Sequence, residues 1–98
     1  MIDPARRLAD ALVALGGDRT RLVCTRSTPW ASATFAGVLA RVVLSLPSAA
    51  ADRLAGVVAD HEFAIPRHLV ADIVIAAREE EAGGWATLSI EALVLEEA

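Results

Sequence analysis

Residues 34–46, TFAGVLARVVLSL, form the longest apolar run of the chain, interrupted only by Gly37, Arg41 and Ser45. Two periodicities fit this run. Helical spacing places these three residues opposite one apolar face, whereas strict alternation makes the even-numbered positions a wholly apolar face. The three valines favour a strand, and so does the strand-like segment before the run, which needs a hairpin partner. We therefore expect a central strand, with a helix as the alternative.

Helices and strands are predicted on both sides of this run. Asp3 as N-cap and Pro4 in the first turn predict a helix that ends at Gly16-Gly17, and Ser48 as N-cap begins a second helix. Further strands are predicted over residues 19–27, 68–79 and 85–96, with a proline turn at 27–30 and a Gly83-Gly84 hairpin loop. The α-β-β-α-β-β order predicts a single α+β domain, residues 1–98, with a four-stranded, mainly antiparallel sheet and two helices on one face.

The composition indicates a protein that associates with itself or with another protein. Hydrophobic residues make up 55% of the 98 residues, above the usual ~45–50%, and a subunit interface is a common place for such a surplus. The net charge of −4 is divided unevenly: residues 1–47 carry +3 and residues 48–98 carry −7. Halves of opposite sign favour docking on each other over binding a polyanion.

Several chemistries lack the residues they need. The chain contains no Lys, Tyr, Asn or Gln, which excludes a Schiff-base lysine and a phosphate-binding loop with its lysine. His61-Glu62 resembles the start of a zinc HExxH motif, but Ile65 occupies the position of the second histidine. No serine lies in a nucleophile-elbow context, and Cys24 is expected to be a small buried hydrophobe. No cofactor and no metal are therefore expected.

The sequence also bears on compartment and partners. It contains no uninterrupted apolar run of about 18 residues that could span a membrane. The acids and Pro4 within the first ten residues do not fit a signal peptide. A single cysteine suits a reducing compartment, so a cytoplasmic location is expected. Arg19, Arg21 and Arg26 near Trp30 could stack on nucleic acid, but the acidic total and the missing lysines argue against it.

The sheet face away from the helices is expected to be only partly polar. Strand alternation places on it Val23, Thr25, Phe35, Leu39, Arg41, Val43, Asp72, Val74, Ser89, Glu91, Leu93 and Leu95. A bare apolar area of that extent favours a homodimer whose sheets stack face to face. Arg41, Asp72 and Glu91 would then form an ion network that fixes the register of the two subunits, or else remain solvated. Trp30 and Trp85, beside the predicted turns, are candidate interface anchors.

These patterns support two hypotheses of different kinds. The first is a non-enzymatic cytoplasmic protein that forms a homodimer, or binds a protein partner, through this face. The predicted interface residues are Leu39, Arg41, Val43, Asp72, Val74, Glu91, Leu93, Trp30 and Trp85. The second is a small-molecule-binding or enzymatic domain with a pocket near His61, His68 and Asp72, because titratable groups cluster around the Pro66 turn.

Overall fold

The computed structural model describes residues 3–97, which form two α-helices, one 3-10 turn and four strands. The bounds are α1 (Pro4–Gly16), β1 (Arg21–Ala31), β2 (Ala36–Pro47), α2 (Ser48–Val57), the 3-10 turn (Val58–Asp60), β3 (His68–Glu81) and β4 (Trp85–Glu96). The strands form an antiparallel sheet in the order β1-β2-β4-β3. The predicted α+β class and the α-β-β-α-β-β order are confirmed.

The run of residues 34–46 forms β2 from Ala36 onward, so the strand interpretation is confirmed, while residues 34 and 35 belong to the preceding turn. The even positions of β2 from residue 40 onward are buried: Ala40 is 3% exposed, and Val42, Leu44 and Leu46 are fully buried, whereas Ala36 is exposed and Val38 is half-buried. The same alternation continues on β4, where Ala86, Leu88, Ile90, Ala92 and Val94 are buried. The buried side chains of these two central strands form one side of the hydrophobic core.

α1 and α2 cover these buried side chains and form the other side of the core. The Asp3 carboxylate accepts a hydrogen bond from the Ala5 N–H at 3.0 Å, and Pro4 occupies the first turn. Leu8 and Leu12 of α1 are fully buried and Leu54 of α2 is 1% exposed. Burial of each such side chain contributes about 1.5–3 kcal/mol, so the helices are held mainly by this apolar contact.

The start of α2 differs from the prediction. Pro47, not Ser48, is the N-cap residue, and no side chain caps the helix. The Ser48 hydroxyl instead donates to the Glu80 carboxylate on β3, at 3.4 Å. Helical spacing predicts that Ala51, Leu54, Ala55 and Val58 face inward. This is confirmed for Ala51, Leu54 and Val58, whereas Ala55 is exposed.

The turn between β1 and β2 was predicted too early. β1 continues through Pro29, and the chain turns at residues 32–35, where the Ser32 hydroxyl accepts from the Phe35 N–H at 3.1 Å. β1 is an edge strand, and an edge tolerates a residue without an N–H donor. The proline therefore lies inside the strand rather than ending it.

Three β-bulges change which side chains face the helices. One lies between Leu22 and Cys24 on β1, and β3 has two more, between residues 70 and 72 and between residues 75 and 77. Each extra residue reverses the alternation that follows it. Thr25 therefore faces the helices, as the partner of the buried Val42, and Cys24 is exposed. The predictions of a buried Cys24 and of Thr25 on the opposite face were wrong.

The same effect acts on β3. Strict alternation predicted Leu69, Ala71, Ile73, Ile75 and Ala77 on one apolar face. In the structure Ile73 is buried and Ile75 packs against the core, whereas Leu69 is 57% exposed and Ala77 is exposed. The two bulges thus move apolar residues of β3 to the face away from the helices.

We expect substitution of Gly37 to test how closely β2 and β4 approach. A Cβ atom at Gly37 would collide with the Val94 carbonyl oxygen and lie 2.9 Å from the Leu95 Cα. Gly37→Ala should therefore lower the free energy of unfolding by about 1–3 kcal/mol, as for other overpacked sites. Urea denaturation measures the difference.

Gly56→Ala is the matched control, because nothing lies within 4 Å of a Cβ added at this exposed helical position. It should raise the free energy of unfolding by up to about 1 kcal/mol through helix propensity. Equal stability of the two alanine variants would contradict the close approach at Gly37.

Candidate interaction face of the sheet

The face of the sheet that α1 and α2 leave uncovered is called the open face below. On the central strands it consists of the odd-numbered residues 37–45 of β2 and 85–95 of β4. Their cross-strand partners on the edge strands are Arg21, Cys24, Arg26, Thr28 and Trp30 of β1 and Leu69, Asp72, Val74, Ala77, Glu79 and Glu81 of β3. Directly paired residues share a face.

The open face carries apolar side chains among its charged ones. Leu39 and Val74 are each 48% exposed, while Val43, Leu93 and Leu95 are half-buried among their neighbours. A solvated antiparallel sheet face normally carries polar side chains. The open face is therefore more apolar than a solvated sheet face usually is.

Charges on the open face are separated by strand. Arginines occupy the half formed by β1 and β2, at Arg21, Arg26 and Arg41. Carboxylates occupy the half formed by β4 and β3, at Asp72, Glu79, Glu81 and Glu91. The boundary between the two signs runs along the strands, between β2 and β4. The overall charge division of the sequence is thus partly reproduced on one surface.

Arg41 and Glu91 lie at the centre of this boundary as direct cross-strand partners. The prediction that Arg41, Asp72 and Glu91 share one face is confirmed by the strand register. All three are exposed, and no salt bridge within 4.0 Å joins them in the part of the chain that the structure describes. The arginine and the carboxylates are thus available to charges outside the chain.

Two shallow depressions flank the Arg41–Glu91 pair. Each has a volume of about 240 Å³. Arg26, Thr28 and Arg41 line the first, and Asp72, Val74 and Leu93 line the second, with Leu39 and Glu91 shared by both. The open face is therefore uneven, with a depression on each side of the Arg41–Glu91 pair.

The two tryptophans lie at opposite ends of the open face. Trp30 is the partner of Gly37 near one end and is half-buried. Trp85, also half-buried, is the partner of Pro47 at the other end. The Arg19 guanidinium carbon lies 5.1 Å from the centroid of the Trp85 ring, a cation–π contact. That contact already covers part of Trp85, whereas Trp30 remains a candidate anchor.

A separate cavity lies beneath the connector that follows the 3-10 turn. Its volume is about 360 Å³, and both His61 and His68 line it, together with Phe63, Ile65 and Glu97. Asp72 does not line this cavity but points to the open face, as the partner of Leu93. The structure thus brings two of the three predicted ligand-binding residues together and separates the third.

One ring nitrogen of His68 lies within hydrogen-bonding distance of a backbone carbonyl oxygen. His68 Nδ1 lies 2.9 Å from the Pro66 carbonyl oxygen, and the Arg67 between them has a positive φ of 64°. His61 packs edge to face against Phe63, with ring centroids 4.7 Å apart. Within residues 3–97, no group of three or more His, Cys, Asp or Glu side chains could hold a metal ion.

Sequence reasoning missed an ionic contact that joins α2 to β3. Arg78 Nη1 lies 2.7 Å from the Asp52 carboxylate, and Nη2 lies 2.9 Å from that of Glu80. Two hydrogen bonds raise the pKa of Arg78 above its ordinary value: the one to Glu80 has the larger effect, and the one to Asp52 the smaller. The second bulge turns Arg78 to the helix side, so alternation alone could not have placed it there.

Comparison with known proteins gives no relative: no protein-family model, no curated protein and no solved structure matches this chain. No helix in the described residues is long and apolar enough to cross a membrane.

We expect His68 to carry its proton on Nδ1 in the neutral form. A carbonyl oxygen can only accept, so the contact with Pro66 requires Nδ1 to donate. Nitrogen-15 NMR of the neutral imidazole should show Nδ1 of His68 protonated. His61, the second ring lining the same cavity, is the internal control. An Nε2-protonated His68 would contradict the hydrogen bond.

Proposed function

We propose that this protein acts as a homodimer formed through the open face of its sheet, as a non-catalytic cytoplasmic protein. The observation that carries the proposal is the set of exposed apolar side chains on that face, Leu39 on the central strand β2 with Val74 and Leu69 on the edge strand β3. Exposed apolar side chains grouped on one face favour a contact site. A second copy buries them without requiring any other component.

The edges of the sheet support stacking over edge-to-edge pairing. β1 and β3 are the outer strands, and both contain bulges, while β1 also contains Pro29. Bulges and edge prolines are devices that hinder the addition of a further strand. Association through the face is therefore favoured.

The size of the open face fits a weak to moderate dimer. Four strands about 4.8 Å apart, each rising about 3.3 Å per residue over ten residues, cover roughly 600 Å². Two such faces would bury roughly 1,200 Å² in total, at the lower end of stable interfaces. We therefore expect dissociation to be measurable by dilution.

The cytoplasmic location is proposed from the state of Cys24. Its thiol is free and exposed on the open face. A free exposed thiol persists most readily in a reducing compartment.

Leu39→Glu tests the dimer, because it replaces an exposed leucine on a central strand of the open face by a charged side chain. Sedimentation equilibrium over a dilution series should show a dimer for the unsubstituted protein. Removing two half-exposed leucines from the contact should raise the dimer Kd roughly tenfold or more. Circular dichroism checks that the variant is folded.

Val57→Glu is the matched control, since Val57 is 46% exposed but belongs to α2, on the other side of the sheet. This variant should dimerise like the unsubstituted protein. A strict monomer at high concentration, or equal loss of the dimer in both variants, would contradict the proposal.

A second candidate function is small-molecule binding in the cavity lined by His61 and His68. The specific observation in its favour is the cavity itself, with a hydrogen-bonded His68 at its wall. A thermal-shift screen of small anionic and neutral metabolites should then find a ligand whose stabilisation is lost in His68→Ala and kept in Asp72→Ala. No ligand, or equal loss in both variants, would contradict this function.

A further inference from the structure

The proposed dimer has a specific arrangement, which follows from the charges on the open face. We propose that a twofold axis parallel to the strands relates the two copies, so that β2 of each lies over β4 of its partner. Arg41 then faces Glu91 of the partner subunit, and Glu91 faces Arg41 of the partner subunit. This inference rests on the homodimer proposed above.

When a sheet packs on its own copy with the strands aligned, the twofold axis between the faces lies either across the strands or along them. An axis across the strands places each strand over itself. The arginine half would then face the arginine half, and the carboxylate half would face the carboxylate half. Like charges brought together in a contact oppose association.

An axis along the strands exchanges the two halves of the sheet. It runs between β2 and β4, where the sign of the charge changes. β1 then lies over β3 of the partner subunit, and β2 lies over β4. The arginine half of each open face then lies over the carboxylate half of the partner's.

The strand register shows how closely the charges would correspond. Arg26, Arg41, Glu91 and Val74 form one row of direct partners across the four strands. Exchange of the halves brings Arg41 over the partner's Glu91 within this row, and the symmetry makes this contact twice. Neither side chain has a salt bridge in the described chain that it would have to give up.

The rows on either side are complementary as well. The next row is Thr28, Leu39, Leu93 and Asp72, so exchange stacks Leu39 on the partner's Leu93 and Thr28 on the partner's Asp72. Two rows in the opposite direction, it brings Arg21 over the partner's Glu79. Apolar, hydrogen-bonding and ionic contacts therefore agree on the same axis.

Twist limits how far this correspondence extends. Stacked sheets cross at about 30° because each sheet is twisted. The match is therefore closest along the axis, on β2 and β4, and loosens at the edge strands. The Arg41–Glu91 contacts lie beside the axis, where the geometry is best defined.

Charge reversal at these two positions tests the arrangement. In an Arg41→Glu dimer, both contacts become Glu opposite Glu, and in a Glu91→Arg dimer both become Arg opposite Arg. An equimolar mixture of the two variants, however, forms a heterodimer in which both contacts pair opposite charges. The mixture does not restore the Arg41–Glu91 pairing within each chain, so effects on monomer folding are not repaired by mixing.

Sedimentation equilibrium at low salt is the measurement. Each single variant should have a dimer Kd raised about tenfold or more, and the mixture should return to within about threefold of the unsubstituted protein. Circular dichroism confirms folding of each variant. Single variants that dimerise normally, or a mixture no tighter than its components, would overturn the proposed axis while leaving the homodimer intact. A strictly monomeric unsubstituted protein would overturn both.

Cross-linking gives an independent test if a charge-reversal variant fails to fold. In a Cys24→Ala background, Thr28→Cys and Asp72→Cys are mixed and treated with a short bismaleimide. The proposed axis predicts cross-linked heterodimers in the mixture and few cross-linked dimers from either variant alone. Preferential cross-linking of Thr28→Cys to itself would overturn the arrangement.

Discussion

The structure depends on the two-sided packing of β2. Its even positions, from Ala40 to Leu46, are closed off from water by α1 and α2. Because side chains alternate along a strand, this burial forces Leu39, Arg41 and Val43 to the opposite face. A slip of one residue would expose the core positions, so the large apolar burial also fixes the register of the open face. The core and the candidate contact surface are thus two consequences of one strand.

The bulges on the edge strands add to this surface without disturbing the core. β2 and β4 pair without a register shift, whereas the shifts lie on β1 and β3. An irregularity at the edge costs few core contacts, because edge strands have a neighbour on one side only. It exposes Leu69 and Cys24 and turns Thr25 and Arg78 toward the helices. The edge strands therefore both resist further pairing and shape the open face.

The separation of charge on the open face connects the fold to the proposed assembly. Neighbouring strands β1 and β2 come from the basic half of the sequence, and β3 and β4 come from the acidic half. The strand order places the β1–β2 hairpin beside the β3–β4 hairpin. The division of charge along the sequence therefore becomes a division of charge across the sheet. A surface that is basic on one side and acidic on the other complements its own copy when the two halves are exchanged.

The sequence by itself determined the element order and the composition of both faces of the central strands. It placed Leu39, Arg41, Val43, Glu91 and Leu93 away from the helices, because period-two alternation is reliable where pairing is regular. Only the tertiary structure decided the strand order, the bulges and the position of Asp72 away from His61 and His68. A bulge inserts one residue whose presence depends on the neighbouring strand, so no local pattern contains it. The alignment of Arg41 with Glu91, which are 50 residues apart in the numbering, likewise arises only when β2 and β4 pair.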